Sequence, residues 1–360
     1  MKVAIDVSAI PVHAAGAGIY VQRVVEALAR MNAVDLELVA RAKDGERWRL
    51  LAPRAEVRAV APSPRPVRLA WEQVAGPVVA HSADVWHGPH YTMPLLAWTP
   101  AVVTVHDLTF FDHPEWHERS KVRYFRRMIR LSSRRAKALI CVSDRTADRL
   151  RELVNPRVPI VVAPLAVDHS RFRPVGDDAS IDLPERYVAF IGTIEPRKNV
   201  PALVRAVARL DPSVQLVLAG QVGWGGKELG RAIASTGMAA RVVRLGYVPD
   251  EVVPTLLRRA AAVAYPAFVE GFGLPALEAL ACGAPLVTTA DSVMSDLAGN
   301  AALTVPAGDD DALTEALRAV VDGGPEAERL RAAGPSVAAR YTWTRSAELH
   351  LEAYRIASGT

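Results

Sequence analysis

Residues 262–288 read AVAYPAFVEGFGLPALEALACGAPLVT, and the architecture follows from this stretch. It opens on an apolar run at 262–265, short enough for a buried strand. A loop punctuated by Pro266, Gly271 and Gly273 comes next, where the backbone can turn tightly. An alanine- and leucine-rich segment follows, with Pro275 suited to a first helical turn. Gly283 and Pro285 then stop the helix, and a second apolar run begins at Leu286. Strand, loop, helix, turn and strand form a parallel βαβ unit.

The same grammar extends in both directions. Before the midpoint, strand candidates lie at 3–7, 36–40, 57–60, 84–87, 101–105, 138–142 and 160–163. After it they lie at 187–191, 214–219, 242–245, 262–265, 286–288 and 303–305. Helical stretches alternate with them, the pattern of parallel sheets covered on both faces. Between the two series runs VDHSRFRPVGDDASIDLPER, polar, with two prolines and no period, which reads as an interdomain linker placed at 171–186. The expected fold is α/β: two Rossmann-like domains, 1–170 and 187–342, with parallel sheets facing an interdomain cleft.

Bulk properties agree with a globular protein. Of the 360 residues, 50% are hydrophobic and 23% charged, which excludes disorder. A chain this long exceeds one ordinary core. No apolar run is long enough to span a bilayer, and the N-terminal MKVAIDVSAI reads as a buried strand rather than a secretory signal. The two cysteines, Cys141 and Cys282, lie far apart in apolar segments, so inert thiols in a reducing cytoplasm are expected. The net charge of +4 is uneven: the first 180 residues hold 26 basic against 19 acidic residues, the remainder 17 against 20. A basic first half suits an anionic acceptor or membrane surface. No zinc-finger spacing, RNP-like motif or basic tail supports nucleic acid.

Ligands of open α/β sheets sit beyond the carboxyl ends of strands, so the loops after strands carry the chemistry. After the first strand, PVHAAGAGIY offers Gly16 and Gly18 for close backbone approach and a helix start for an anion, although its G-x-G-x-x-V lacks the third glycine of a dinucleotide fingerprint. In VVTVHDLTFFDHPEWH, His106 and Asp107 place an imidazole and a carboxylate at a strand end; a capping aspartate beside a structural histidine is the plainer alternative. In IGTIEPRKNVPALVRA, Arg197 and Lys198 at a helix start suit a diphosphate, a fork beside a mobile point charge. Lysine is scarce in this chain, six against 37 arginines, which weighs against Lys198 as surface filler. In the opening stretch, Glu270 stays in the loop while Glu278 falls on the helix. A carboxylate accepts two hydrogen bonds from vicinal hydroxyls, so Glu278 suits a ribose and Glu270 a sugar ring.

On these residues the chain resembles family 4 of the retaining glycosyltransferases, which have the GT-B fold. The resemblance is carried by the E-x7-E pair Glu270 and Glu278, the pair Arg197 and Lys198, and the glycine loop at Gly16 and Gly18. The His-Asp dipeptide in VTVHDLTFFDHPEW and the segment GWGGKEL look more narrowly like bacterial mannosyltransferases. The resemblance implies that the C-terminal domain binds a nucleotide sugar, GDP-mannose in first place or a UDP-sugar. Arg197 and Lys198 would neutralise its diphosphate, backbone N–H groups from Gly271 through Phe272 and Gly273 to Leu274 would hold phosphate and sugar, and Glu278 the ribose. Glu270 would contact the transferred hexose near its anomeric centre, with His106 and Asp107 contributed by an acceptor-binding N-terminal domain, and Gly16 and Gly18 would approach the diphosphate. A final helix at 343–357 would cross back to the first domain. The acceptor implied is a glycan, a polysaccharide or a lipid-linked sugar.

Neither a metal nor any other cofactor is expected. No D-x-D follows a suitable strand, and Asp309–Asp311 reads as a helix cap. His87 and His90 read as loop histidines. Rival readings are an NAD(P)-dependent Rossmann oxidoreductase and a GT-B protein without transferase activity, such as an epimerase. The stretch 117–140 is expected to be a helix whose apolar face holds Val122, Phe125, Met128, Ile129, Ala136 and Leu139. Its arginines, with Arg126 among them, and Lys137 would form an adjoining arc, either simply solvated on a sheet-covering helix or suited to an anionic membrane on the cytoplasmic side.

Overall fold

The computed structural model describes residues 1–12 and 16–360. The chain divides into two compact units: Met1–Leu165 with Trp343–Thr360, and Ala166–Thr342. The described residues of the first unit hold β1 (Lys2–Asp6), β2 (Asp35–Arg41), β3 (Glu56–Ala61), β4 (Val85–Gly88), β5 (Ala101–Val105), β6 (Ala138–Cys141) and β7 (Ile160–Val162). The second holds β8 (Tyr187–Ile191), β9 (Gln215–Ala219), β10 (Val242–Gly246), β11 (Ala262–Tyr265), β12 (Leu286–Thr289) and β13 (Ala302–Val305). Each lies within a residue of the position read from hydrophobic patterning.

Both sheets are parallel throughout. Their orders are β3-β2-β1-β4-β5-β6-β7 and β10-β9-β8-β11-β12-β13. The central strands are buried on both faces, as in AVVTV of β5 and AVAY of β11, which is why they appear as unbroken apolar runs. The edge strands β3 and β10 carry charges, Glu56 and Arg58 on one and Arg244 on the other, which discourages further pairing.

The span expected as a linker packs on the second unit. Phe172 and Leu183 are buried, and Ala179 N donates to Thr255 Oγ1 at 2.8 Å. Two apolar anchors and a backbone bond fasten this polar span.

The helix Trp343–Ser358 belongs to the first unit, held there by a chain of buried polar groups. Tyr354 Oη lies 2.9 Å from His87 Nδ1, His87 Nε2 lies 2.8 Å from Thr104 Oγ1, and Thr104 Oγ1 lies 3.2 Å from Tyr20 Oη. Tyr20 Oη lies 2.5 Å from His350 Nε2, and His350 Nδ1 lies 2.6 Å from the Ser346 carbonyl. The carbonyl can only accept, so His350 donates from Nδ1 and accepts from Tyr20. The same direction then runs back through Thr104 and His87 to the Tyr354 hydroxyl. Every donor is used and both imidazoles are neutral. His87, read from sequence as a loop histidine, is instead a fully buried strand residue.

Burial, with His106 nearby, pushes His350 down to about 4, although the Ser346 carbonyl pulls the other way. The unfolded chain therefore takes up the proton first. The stability due to His350 is complete above the ordinary value of 6.5 and is lost as pH falls from there toward about 4. His350→Gln should flatten this acid limb by up to about 1.4 kcal/mol per pH unit. Denaturant titrations across that range check it, and equal slopes for wild type and variant would show that His350 is not held neutral by the fold.

Candidate active site

In the six-stranded sheet the chain proceeds outward from β8 through β9 to β10, then returns to the centre and proceeds the other way from β11. The loops after β8 and β11 consequently part at their carboxyl ends, leaving the crevice where ligands of such sheets bind. These two loops hold Arg197, Lys198 and Glu270. The backbone joins them, Phe268 N donating to Arg197 O at 2.8 Å.

Arg197 Nη1 lies 2.6 Å from Glu270 Oε2, and its Nε lies 2.7 Å from Glu195 Oε2. Lys198 Nζ lies 3.7 Å from Glu270 Oε1, with side chains only 11% and 17% exposed. Burial works against the Glu270 charge, but Arg197 and Lys198 outweigh it and hold the carboxyl below its ordinary value. Glu270 is an anion at neutral pH and cannot serve as a proton donor there. Gly192 makes room for the lysine: a Cβ at that position would stand 2.8 Å from Lys198 Nζ. Neither this seat nor the Glu195 brace was assigned a role from sequence, although both residues lie in the quoted motif.

Gly273 caps the helix Leu274–Ala281 with φ 90°, and Pro275 sits in the first turn as expected. The helix thus starts at the crevice, its amino end favouring negative charge. Glu278 is the fifth helical residue and half-buried. Both Glu278 and Glu270 act on the buried Tyr265, whose hydroxyl is pushed well up by burial first and by these carboxylates next. Phe272 turns its ring inward, 6.0 Å from the Tyr341 ring, so only its backbone faces the loop.

The candidates of the first unit are placed as follows. His106, at the end of β5, is buried and its Nε2 meets Pro89 O at 2.7 Å; burial lowers its pKa. His90 lies beside it, 5.1 Å between ring centroids with the rings tilted by 57°. Asp107 Oδ1 accepts from Thr109 N at 3.1 Å and Thr109 Oγ1 at 2.7 Å, a local turn just before the short helix Thr109–Asp112, whose cap position is Leu108. Part of the glycine loop, residues 13–15, lies outside the described residues. Gly16 caps the helix Ala17–Met31, so Gly18 is buried within the first turn rather than in the loop, and the helix begins before Tyr20.

The described residues contain no group of three or more potential metal ligands. Asp309 caps its helix through Ala312 N at 2.9 Å, and Asp310 and Asp311 pair with Arg205 and Arg209. Cys141 and Cys282 are buried free thiols, each pushed up to about 12 by burial.

The basic helix is Arg119–Arg135, shorter than the expected 117–140, and Leu139 belongs to β6. Val122, Met128 and Ile129 are buried; Arg123, Arg127, Arg130 and Arg134 are exposed. Arg126 leaves the expected arc: it donates to Phe110 O at 2.6 Å and Phe111 O at 3.1 Å, locking the preceding turn.

The family model "Glycosyl transferases group 1" matches residues 177–337, and "Glycosyltransferase Family 4" matches residues 14–171. The O-antigen chain mannosyltransferase B of Escherichia coli is 31% identical over 284 residues, 76% of this chain and 74% of that protein. The D-inositol 3-phosphate glycosyltransferase of Mycobacterium tuberculosis is 34% identical over 239 residues, 59% of this chain and 48% of that one. Among solved structures, sucrose-phosphate synthase from Thermosynechococcus elongatus superposes with a TM-score of 0.83 at 21% identity, over 98% of each chain. Anabaena HepE in complex with UDP and glucose gives 0.78 at 18% identity, again over 98% of each. Both share the two-domain GT-B fold.

Gly273 offers a local test of the cap. A Cβ there would stand 2.4 Å from Met294 Cγ on a left-handed backbone. Gly273→Ala should cost about 1–3 kcal/mol, and Met294→Ala in the same chain should restore only the steric part. Chemical denaturation measures both; an alanine variant as stable as wild type would show that the cap is not strained.

Proposed function

The chain belongs to glycosyltransferase family 4, and from that premise we propose that it transfers a hexose, mannose in first place, from a nucleoside-diphosphate sugar to a glycan, polysaccharide or lipid-linked acceptor with retention of anomeric configuration. The observation that carries the reading is the convergence of Arg197, Lys198 and Glu270 beside the amino end of the helix Leu274–Ala281. Two cations and a helix terminus suit a departing diphosphate, and a carboxylate that stays charged suits the positive character developing on the sugar. The acceptor hydroxyl oxygen forms a bond to the anomeric carbon on the face from which the phosphate leaves. The old carbon–oxygen bond breaks toward the diphosphate, which takes the acceptor's proton.

The finer assignments follow the family resemblance. Glu278 receives the ribose, the backbone from Gly271 to Leu274 the phosphate and sugar, Gly16 and Gly18 the diphosphate, and His106 with Asp107 the hexose. Mannose with a guanine base is favoured by the similarity to the E. coli mannosyltransferase and by GWGGKEL; UDP-glucose and UDP-N-acetylglucosamine are the alternatives. No metal takes part in this reading, since Arg197 and Lys198 supply the positive charge. Buried thiols support a reducing cytoplasm. No described helix is long and apolar enough to cross a membrane; the exposed stripe of Arg123, Arg127, Arg130 and Arg134 supports peripheral attachment to an anionic leaflet. An NAD(P)-linked oxidoreductase and an epimerase are disfavoured by membership of a transferase family.

Calorimetry and turnover test this together. GDP should bind more tightly than UDP, Lys198→Ala should weaken GDP by about 1.5–3 kcal/mol, and turnover of GDP-mannose should persist in EDTA. Clear preference for UDP would replace the donor, an unaffected Lys198→Ala would remove the site, and loss in EDTA rescued by Mn²⁺ would restore a metal.

A further inference from the structure

Close to the end of the arginine-rich helix the first unit exposes an apolar knob carried by two segments that hydrogen bonds tie together. Trp98 is 94% exposed, Leu96 72%, Val74 79% and Val78 77%. Single exposed aliphatic residues are ordinary, but a nearly naked tryptophan among three others marks a surface that something covers.

The exposure is built in. The segment 93–100 is fastened at both ends. Gln73 Nε2 donates to Met93 O at 3.0 Å, Leu95 N donates to Gln73 Oε1 at 3.1 Å, and Thr99 Oγ1 donates to Ala80 O at 2.9 Å. A turn from Ala97 N to Pro94 O, 3.2 Å, closes the middle. Pro94 also packs against Gly76, where an added Cβ would stand 3.0 Å from Pro94 Cγ. The loop therefore lies along the helix Gly76–Ala80, which carries Val78, and its bonds hold Leu96 and Trp98 outward.

The knob adjoins the cationic end of the helix Arg119–Arg135. Arg135 Nη1 donates to Leu95 O, and Lys137 N donates to Ala101 O at 2.8 Å. Arg134, Arg135 and Lys137 are exposed, and the helix contains no acidic residue to offset them. At 1.5 Å per residue its 17 residues extend about 25 Å. The surface thus offers a long row of cations of one sign ending at an exposed tryptophan and leucine.

We propose that Trp98 and Leu96, flanked by Val74 and Val78, insert into the interfacial region of an anionic lipid bilayer and anchor the protein there while the arginine stripe lies on the headgroups. This rests on the reading of the stripe as a membrane contact and adds an apolar component to it. Tryptophan suits the boundary between headgroups and acyl chains, and a row of single-sign cations complements anionic lipid along its whole length. Electrostatic attachment alone disappears at high salt, whereas inserted side chains persist.

Co-sedimentation with phosphatidylcholine vesicles, with and without phosphatidylglycerol, at about 0.1 M and about 1 M salt separates the two components. Wild type should bind anionic vesicles at low salt and keep a residual fraction at high salt. Trp98→Ser with Leu96→Ser should lose that residue and weaken low-salt partitioning roughly tenfold. Changing Arg123, Arg127, Arg130 and Arg134 to Ser should remove the salt-sensitive part. Brominated lipid should quench wild-type tryptophan emission more than that of Trp98→Phe. If wild type is released completely by salt and the knob variant partitions like it, the anchor is wrong and the stripe stands. Should wild type ignore anionic vesicles altogether, both fall. A knob variant that turns a dimer into a monomer with vesicle binding unchanged would assign the knob to a second copy of this chain.

Discussion

Every strand in both sheets runs parallel to its neighbours, and a parallel strand can be reached only by carrying the chain back across the sheet. That requirement sends the loop after each strand to the same edge. Where the order of strands reverses, between β8 and β11, two such loops are left side by side with no helix crossing between them. Arg197, Lys198 and Glu270 meet there because topology delivers them, across more than seventy residues of intervening chain. Once met, they are mutually dependent. Two cations and a carboxylate, mostly shielded from water, are tolerable as partners and costly apart. The result is a cluster whose cations and carboxylate hold one another in position.

The first unit handles buried polarity differently. Along the helix Trp343–Ser358 its core holds an ordered run of hydroxyls and neutral imidazoles that starts with the Tyr354 hydroxyl as donor and ends on the Ser346 carbonyl as acceptor. Buried polar groups that are fully satisfied specify one packing, because any slip orphans a donor. This explains how the last helix of the chain, which follows the whole second unit, finds a fixed seat among β4, β5 and the helix Ala17–Met31. Burial also lowers the pKa of His106, against the pull of the Pro89 carbonyl and Asp107.

The helix Arg119–Arg135 shows how one segment divides its charges. Arg126 is spent on the carbonyls of Phe110 and Phe111, holding the turn that follows His106 and Asp107 in place. The arginines one turn to either side face solvent. Similar side chains in the same seventeen residues therefore take a structural or a surface role according to what lies opposite them.

Hydrophobic runs and glycine–proline punctuation determined the strands of the described residues, their parallel sense and the loops of interest. Strands buried on both faces must be apolar throughout, and loops at strand ends need residues that tolerate unusual backbone angles. The Arg197-Lys198 pair and the carboxylates at 270 and 278 were legible for the same reason: charged residues at the start of a helix or beside glycines are local features. Other properties were settled by partners remote in sequence. His87 is held well below its ordinary value by burial, with His350 and His106 adding to it, and its Nδ1 is met by Tyr354, 267 residues away. The span around Phe172 packs because Thr255 offers a hydroxyl, Arg126 leaves the basic arc because two carbonyls await it, and Trp98 stands bare because no other described element folds over it. Pattern and spacing report what a segment can become; burial, protonation and exposure depend on which distant atoms surround it, and only the folded chain supplies those.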